Sequence, residues 1–169
     1  MNEFYVNWGG DRIKLTWMPT TEIFDAQLIT SAHAVCFYED EVLLVDINGR
    51  GFDLPGGHRE DGETPLDCCL RETYEEGYVK GNATLLGYLE VNHSENTNWH
   101  EGSKYPKVAY QAMYRIDITE VLPFQAQFEA SKRIFVPLED VHKYHGSYNP
   151  HFDLILQAAA TAIKYNPTY

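Results

Sequence analysis

Three glutamates, Glu72, Glu75 and Glu76, are spaced so that a helix would carry all three carboxylates on one face. The spacing i, i+3, i+4 places the side chains within an arc of roughly 100°. Such a face is usually a solvated surface, because like charges at i, i+4 repel one another. A divalent cation would turn the repulsion into affinity, since Mg²⁺ binds carboxylate oxygens and keeps positions open for water and phosphates. The cluster therefore predicts a site for Mg²⁺, or Mn²⁺, that acts on phosphate groups.

A helix from about Thr64 to Gly77 must position these glutamates. Thr64 is a favourable N-cap, Pro65 fits the first helical position, and Gly77 can supply a left-handed residue at the end. Before it, residues 51–62 contain four glycines and a proline, which predicts a loop. The residues expected to pack this helix on a sheet are Leu66, Cys69, Leu70 and Thr73.

The loop and helix together resemble the Nudix box, the signature G-x5-E-x7-R-E-U-x-E-E-x-G-U in which U is a bulky apolar residue. Residues 56–79 are GGHREDGETPLDCCLRETYEEGYV, and the preceding Leu54-Pro55-Gly56 is also similar to the family. The residues at matching positions are Gly57, Glu63, Arg71, Glu72, Glu75 and Glu76. The departures are Tyr78, where the signature has glycine, and Thr73 at the first U. Gly77, one residue earlier, is expected to take over the role of that glycine in ending the helix.

The resemblance implies an α+β fold, the Nudix-type α/β/α sandwich, in which a mixed β-sheet lies between the box helix and a C-terminal helix. It also implies that an ion pair between Glu63 and Arg71 holds the loop to the helix. The implied metal ligands are the backbone carbonyl of Gly57 and the carboxylates of Glu72, Glu75 and Glu76.

A further carboxylate is expected outside the box. Phe135-Val136-Pro137-Leu138 resembles a strand that follows a distant ligand or general base in many family members, and Glu129 precedes it here. Glu129 therefore joins the three box glutamates as a candidate catalytic residue, and Glu60 is a weaker candidate. The implied mechanism is in-line attack of an activated water on phosphorus, with Glu72 or Glu129 as the base.

Two other residues are candidates for contact with the substrate. His58 follows Gly57 and could contact a phosphate, although a surface histidine is the commoner situation. Trp99 lies in the long polar stretch of residues 93–106, which predicts a surface loop and a candidate substrate flap. An aromatic ring there could stack on a base.

The remaining pattern predicts one domain over residues 1–169, with residues 1–30 as an N-terminal hairpin extension. Apolar residues alternate on both sides of Gly9-Gly10, which is typical of a β-hairpin. Further strands are predicted at residues 32–37, 42–47, 83–91, 108–118 and 133–137. A C-terminal helix begins after Asn149-Pro150, and its predicted packing face is Phe152, Ile155, Ala159, Ala162 and Ile163.

Composition limits the classes of partner. The formal net charge of −12 argues against a protein that coats nucleic acid, whereas a small anionic substrate bound through a cation is allowed. The three cysteines, Cys36, Cys68 and Cys69, form no CxxC or disulfide pattern and are expected to be core thiols in a reducing compartment. The N-terminus lacks a signal-peptide pattern and no apolar stretch is long enough for a membrane span, so a cytoplasmic protein without a membrane partner is predicted.

The function that the resemblance implies is metal-dependent hydrolysis of a nucleoside diphosphate linkage, a phosphoric anhydride. The leading substrates are a nucleoside triphosphate of the 8-oxo-dGTP type and the 5′ end of triphosphorylated or capped RNA. Alternatives are an ADP-ribose or nucleotide-sugar pyrophosphatase, a non-catalytic nucleotide sensor, and an isopentenyl-diphosphate isomerase, which would need a cysteine in the pocket. A homodimer through the hairpin, with Tyr5 and Thr16 on its exposed face, stays open.

Overall fold

The computed structural model describes residues 2–22 and 25–162, which form one mixed β-sheet with helices on both faces. The α+β sandwich expected from the sequence is confirmed. The strands are β1 Glu3–Trp8, β2 Asp11–Pro19, β3 Ile29–Tyr38, β4 Glu41–Ile47, β5 Phe52–Asp53, β6 Gly56–His58, β7 Val79–Asn92, β8 Val108–Val121 and β9 Ala130–Pro137. The helices are α1 Pro65–Gly77, α2 Val141–Tyr144 and α3 Pro150–Thr161, with 3-10 turns at Ala26–Leu28 and Leu138–Asp140.

The strands follow the order β1-β2-β7-β8-β3-β4-β5, and β6 and β9 pair with β3 and β4 respectively. Among the described strands, β3 and β8 are the parallel pair, and the other pairs are antiparallel. The predicted hairpin is present as β1 and β2, and Gly9 and Gly10 both take positive φ at its turn. Because β2 also pairs with β7, the hairpin is continuous with the sheet.

The core lies on both faces of the sheet. On one face α1 packs against β3 and β4, where Cys69 lies in a buried cluster with Cys36 and Leu43. On the other face α3 packs against β2, and Ile155 joins Leu15 and Trp17. The two helices therefore enclose the sheet, as a sandwich requires. Ile163, predicted on the packing face of α3, lies outside the described residues.

The loop predicted over residues 51–62 contains two short strands, and this part of the prediction is wrong. β6 pairs with β3 through Ala32 and Gly57, at a stretch of β3 that β4 leaves free because those two strands pair only at Phe37 and Tyr38. Glycine is depleted in strands, so the local sequence Gly56-Gly57-His58 does not indicate β6. Pairing to β3 nevertheless fixes the positions of Gly57 and His58 beside Ala32 and Ser31.

Within residues 2–22 and 25–162, no helix combines the length and apolarity that a membrane crossing requires.

Candidate active site

Helix α1 begins where the sequence predicts. The Thr64 hydroxyl accepts the Asp67 backbone N–H at 3.1 Å, and the Asp67 carboxylate accepts the Thr64 N–H at 3.3 Å. This capping box, followed by Pro65 in the first turn, satisfies backbone donors that a helix start leaves unpaired. The start of the helix, and with it the phase of the glutamates, is fixed locally.

The buried face of α1 differs from the predicted one. Cys69 and Thr73 are buried as expected, but Leu66 and Leu70 are 41% and 37% exposed. The face against the sheet instead includes Glu76 and Gly77. Small residues at positions 69, 73 and 77 let the helix lie close to the sheet, and a Cβ on Gly77 would come within 2.5 Å of Leu43 Cδ2. The close approach carries Glu76 into the interior.

The end of α1 also differs from the prediction. Tyr78, not Gly77, takes the left-handed conformation that ends the helix, with φ 53° and ψ 44°. Tyr78 thus occupies both the position and the backbone conformation of the glycine in the box. Its ring is buried against Phe124 and Phe128, and its hydroxyl accepts the Gln127 N–H at 3.0 Å. These contacts offset the cost of about 1–2 kcal/mol for a side chain in this region.

Arg71 joins the loop before the helix to the helix. It donates to both carboxylate oxygens of Glu63, each at 2.9 Å, and to the backbone carbonyl of His58 at 3.1 Å. Its remaining terminal nitrogen donates to Glu72 at 2.9 Å and to Glu75 at 3.3 Å. The bidentate contact between Arg71 and Glu63 is the one that the resemblance implies, and it positions the loop of residues 58–63.

Glu76 is the most buried of the box glutamates, at 5% exposure. Its carboxylate accepts the Gly56 N–H at 3.0 Å. Burial raises the pKa of Glu76 to about 8, and the nearby charges of Glu72 and Glu129 add to the rise. Burial also raises the pKa of Glu72, against the opposing effect of Arg71. Both carboxyl groups are therefore held where a cation would stabilise their charged forms.

Gly57 leaves space that the Glu72 carboxylate fills. A Cβ at Gly57 would lie 2.5 Å from Glu72 Oε1, so only glycine allows this contact between strand and helix. The Gly57 carbonyl accepts a weak hydrogen bond from the Cys68 thiol at 3.4 Å. The predicted metal ligands Gly57 and Glu72 are thus brought together by β6 and α1.

Two grooves meet at Glu76 and Glu129. The carboxylate groove, about 480 Å³, is lined by Asn48, Glu60, Arg71, Glu72, Glu75, Glu76, Phe128 and Glu129. Its donors are hard oxygens, which fit Mg²⁺ or Mn²⁺. Among the described residues no three side chains already converge at metal-binding distance, and Arg71 contacts both Glu72 and Glu75. Each of these two glutamates contacts Arg71 through one carboxylate oxygen only, Oε1 of Glu72 and Oε2 of Glu75.

The second groove adds residues that sequence reasoning missed. The Arg50 groove, about 410 Å³, includes Arg50 and Asp53 together with Glu76 and Glu129. Asp53 Oδ1 lies 2.7 Å from His145 Nε2. Burial alone would raise the pKa of Asp53, but the contact with His145 counters this effect and keeps the pKa below its usual value. Arg50 is an exposed cation beside the glutamates. An arginine in a Gly-rich turn has no distinctive spacing, so only the fold reveals its position.

The two predicted substrate contacts differ in their placement. His58 lines the Arg50 groove and also a third cavity of about 370 Å³, termed here the hairpin pocket, whose lining includes Trp8, Ser31, His58, Tyr105 and Gln111. Trp99 is absent from that lining and donates from Nε1 to the Tyr105 carbonyl at 3.0 Å. Tyr105 is the aromatic residue that stacks on His58, with 5.7 Å between ring centroids. Trp99 therefore supports the residue that faces the pocket.

The three cysteines lie in the core. Cys36, Cys68 and Cys69 are free and buried, and burial raises the pKa of Cys68 to about 11. Among the described residues that line the two grooves and the hairpin pocket there is no cysteine. A thiol that stays protonated and covered is a poor nucleophile or acid, which disfavours the isomerase alternative.

The chain is similar in sequence to a known protein family and to several characterised proteins. The family model for the NUDIX domain matches residues 28–156. Two curated relatives are each 46% identical to the chain over 68 residues, or 36% of this chain. They are the human diphosphoinositol polyphosphate phosphohydrolase NUDT4B and the mouse diphosphoinositol polyphosphate phosphohydrolase 3-alpha. These matches span 37% and 41% of the relatives' lengths, well under two thirds.

Solved structures share the fold over more of the chain. A point mutant of the Bacillus subtilis pyrophosphohydrolase BsRppH aligns with a TM-score of 0.71 and 18% identity, covering 95% of this chain and 96% of its own. A NUDIX hydrolase from Nitrosomonas europaea aligns with a TM-score of 0.58 and 18% identity, covering 78% of this chain and 88% of its own. At these identities the likeness shows the fold.

Proposed function

The chain belongs to the NUDIX family, and from this premise we propose that it is a metal-dependent hydrolase that cleaves a phosphoric anhydride bond in a nucleotide. The observation that carries the proposal is the group of carboxylates around Gly57. Glu72 fills the space above Gly57, Glu76 is buried beside Gly56, and Glu129 lines the same groove as both. Carboxylates held this close together destabilise the protein unless a cation offsets their charge. A bound divalent metal ion would provide that positive charge.

The proposed ligands are Glu72, Glu75 and Glu76 with the Gly57 carbonyl. A Mg²⁺ or Mn²⁺ ion bound there would neutralise the diphosphate and favour attack at phosphorus. Glu129 is proposed as the general base, with Glu72 as the alternative. Glu129 is exposed and lines both grooves, so it can reach a water beside a phosphate from either side.

The Arg50 groove gives the phosphates a cation of the protein's own. Arg50 lines the groove together with Glu76 and Glu129. A guanidinium can bind two phosphate oxygens at once, which holds the bond to be cleaved beside the carboxylates. Arg71 cannot serve in the same way, because its nitrogens bind Glu63, Glu72 and the His58 carbonyl.

The proposed substrates are a nucleoside triphosphate of the 8-oxo-dGTP type or a triphosphorylated or capped RNA 5′ end. The names of the relatives support anhydride chemistry in general, because one group acts on diphosphoinositol polyphosphates and a structural neighbour is a pyrophosphohydrolase. ADP-ribose and nucleotide sugars remain alternatives. A cytoplasmic location and a homodimer through the edge strand β1 remain predictions from the sequence.

The test is release of phosphate or pyrophosphate from a panel of substrates, with and without Mg²⁺. The panel contains nucleoside triphosphates including 8-oxo-dGTP, triphosphorylated RNA, ADP-ribose, a nucleotide sugar and a diphosphoinositol polyphosphate. Metal-dependent turnover of a nucleotide is the expected result. Binding of the panel by folded protein without turnover of any member would contradict the proposal and favour a sensor.

A further inference from the structure

The hairpin pocket lies next to the proposed site of hydrolysis. It shares Gly57, His58 and His33 with the Arg50 groove. A substrate whose phosphates occupy that groove can therefore extend its next group past His58 into the pocket. The pocket volume of about 370 Å³ falls within the roughly 300–1,000 Å³ typical of small-ligand sites.

The chemistry of the pocket favours a flat, uncharged ring. Trp8 and Tyr105 both line it, and Tyr105 is already stacked on His58 with only 15° between the ring planes. Ser31 lies in the same lining, and its buried hydroxyl has no hydrogen-bond partner among the described residues. Aromatic faces with a few polar groups suit a nucleobase, which stacks and also carries hydrogen-bonding edges.

The same lining is unsuited to a polyphosphorylated ring. Among the described residues, its fourteen lining positions include no lysine or arginine, and Asp11 adds a negative charge. A ring bearing several phosphates needs several cationic side chains to offset its charge. The lining therefore favours the base of a nucleotide over an inositol polyphosphate.

A wall of the pocket comes from the N-terminal hairpin, which lies outside the residues matched by the family model. The loop of residues 93–107 is tied to that hairpin at two places. Asn98 donates to Asp11 at 2.7 Å, and Tyr5 donates to Glu95 at 3.0 Å. The hairpin thus contributes Trp8, and the loop contributes Tyr105, to the lining of one cavity.

We propose that the hairpin pocket binds the nucleobase of the substrate, with Trp8 and Tyr105 as stacking residues and Ser31 and Gln111 as polar contacts that select the base. The inference rests on the proposed function for the identity of the substrate. It adds the residues that would read the base and assigns the hairpin a role in specificity.

The test measures binding in metal-free buffer by calorimetry, so that it does not depend on turnover. The probes are the four nucleoside 5′-monophosphates, ribose 5-phosphate and inositol hexakisphosphate. At least one nucleotide should bind about tenfold or more tightly than ribose 5-phosphate, because a stacked base adds to binding. Tyr105→Ala should remove this preference and leave the affinity for ribose 5-phosphate unchanged.

Two more variants provide a second test of stacking and a control. Trp8→Ala should weaken nucleotide binding in the same way if Tyr105→Ala fails to fold. Tyr144→Ala, a substitution of another exposed tyrosine, on α2, should leave nucleotide binding unchanged. Equal binding of nucleotide and ribose phosphate, or tighter binding of inositol hexakisphosphate, would overturn the inference. Base-selective binding without turnover of any panel member would refute the proposed hydrolase and leave the pocket intact.

Discussion

At the scale of single residues, two glycines are required for different reasons, one at the candidate site and one in the core. Gly57 and Gly77 both lie where a Cβ would come within 2.5 Å of another side chain. At Gly57 that neighbour is the Glu72 carboxylate, whereas at Gly77 it is Leu43 in the core. The same Gly→Ala change should therefore affect mainly activity at position 57 and mainly stability at position 77.

Gly57→Ala should lower activity and largely spare stability. The added methyl displaces the Glu72 carboxylate, so we expect kcat to fall by about 100-fold, the scale on which misplacement of a catalytic group acts. Gly77→Ala is the matched control, and it should lower the melting temperature by overpacking against Leu43. Kinetics and thermal melts of both variants provide the measurement. Unchanged kcat in Gly57→Ala would show that Glu72 does not need its present position.

Residue types and spacing were enough to predict most of the candidate site, because the box glutamates, Glu63 and Arg71 follow from a local motif in one loop and the helix after it. Arg50, Asp53 and Tyr105 could not be found in this way. Each reaches the site through pairing of distant strands or through a loop, and spacing along the chain encodes neither. The exposed Leu66 and Leu70 show the limit of periodicity, since small residues and a buried glutamate took the face expected for the leucines.

At the scale of elements, Tyr78 connects the end of α1 to the segment that precedes Glu129. Tyr78→Phe keeps the buried ring but removes the oxygen that accepts the Gln127 N–H. We expect the free energy of unfolding to fall by about 1 kcal/mol, the usual net value of such a bond. Urea denaturation measures this change, and Tyr74→Phe on the exposed side of the same helix is the control. An equal loss of stability in the two variants would show that the hydrogen bond to the Tyr78 hydroxyl does not stabilise the fold.

Helix α3 contains a histidine whose burial makes stability depend on pH. His151 is 3% exposed, and burial together with the nearby His145 lowers its pKa to about 4. Between pH 6.5 and 4 the unfolded chain therefore binds a proton that the folded chain does not, so folding loses stability as the pH falls. The loss from this residue amounts to at most about 3 kcal/mol and is absent above pH 6.5.

His151→Phe should remove that part of the acid sensitivity. The difference in stability between the variant and the wild type should shift in favour of the variant when the pH is lowered from 7 to 4.5. Denaturation curves at the two pH values measure the shift, and contributions from other titrating groups cancel in the difference. Parallel loss of stability in both proteins would show that His151 is protonated in the folded state.

At the scale of the whole molecule, the hairpin of residues 3–19 is part of the fold. The sequence indicated an extension, and the family model begins only at residue 28. In the structure β2 pairs with β7, and Leu15 and Trp17 are buried beneath α3. Local alternation was sufficient to predict the hairpin, but its position at the sheet depends on the pairing of β2 with the distant strand β7, from Lys14↔Asn92 to Pro19↔Gly87, which no local pattern encodes.

Leu15→Ala should therefore cost as much as a change in the central core. Leu15 is fully buried, so the loss of its side chain and the resulting cavity should lower the free energy of unfolding by about 2–5 kcal/mol. The adjacent Thr16→Ala, on the other face of the strand, should cost less than about 1 kcal/mol. Chemical denaturation compares the two. A small loss for Leu15→Ala would mean that the hairpin is a loosely attached extension.

The most direct test concerns the role of the buried Glu76 carboxylate in metal-dependent hydrolysis. The measurement is the Mg²⁺-dependent initial rate on the best nucleotide substrate, for the wild type and for the variants Glu76→Gln and Glu120→Gln. Gln at position 76 keeps an oxygen for the Gly56 N–H but removes the charge, while Glu120 is an exposed glutamate on β8 outside both grooves. We expect a loss of about 100-fold or more for Glu76→Gln and an unchanged rate for Glu120→Gln. A wild-type rate in folded Glu76→Gln, or hydrolysis that needs no divalent cation, would mean that this cluster does not hold a catalytic metal.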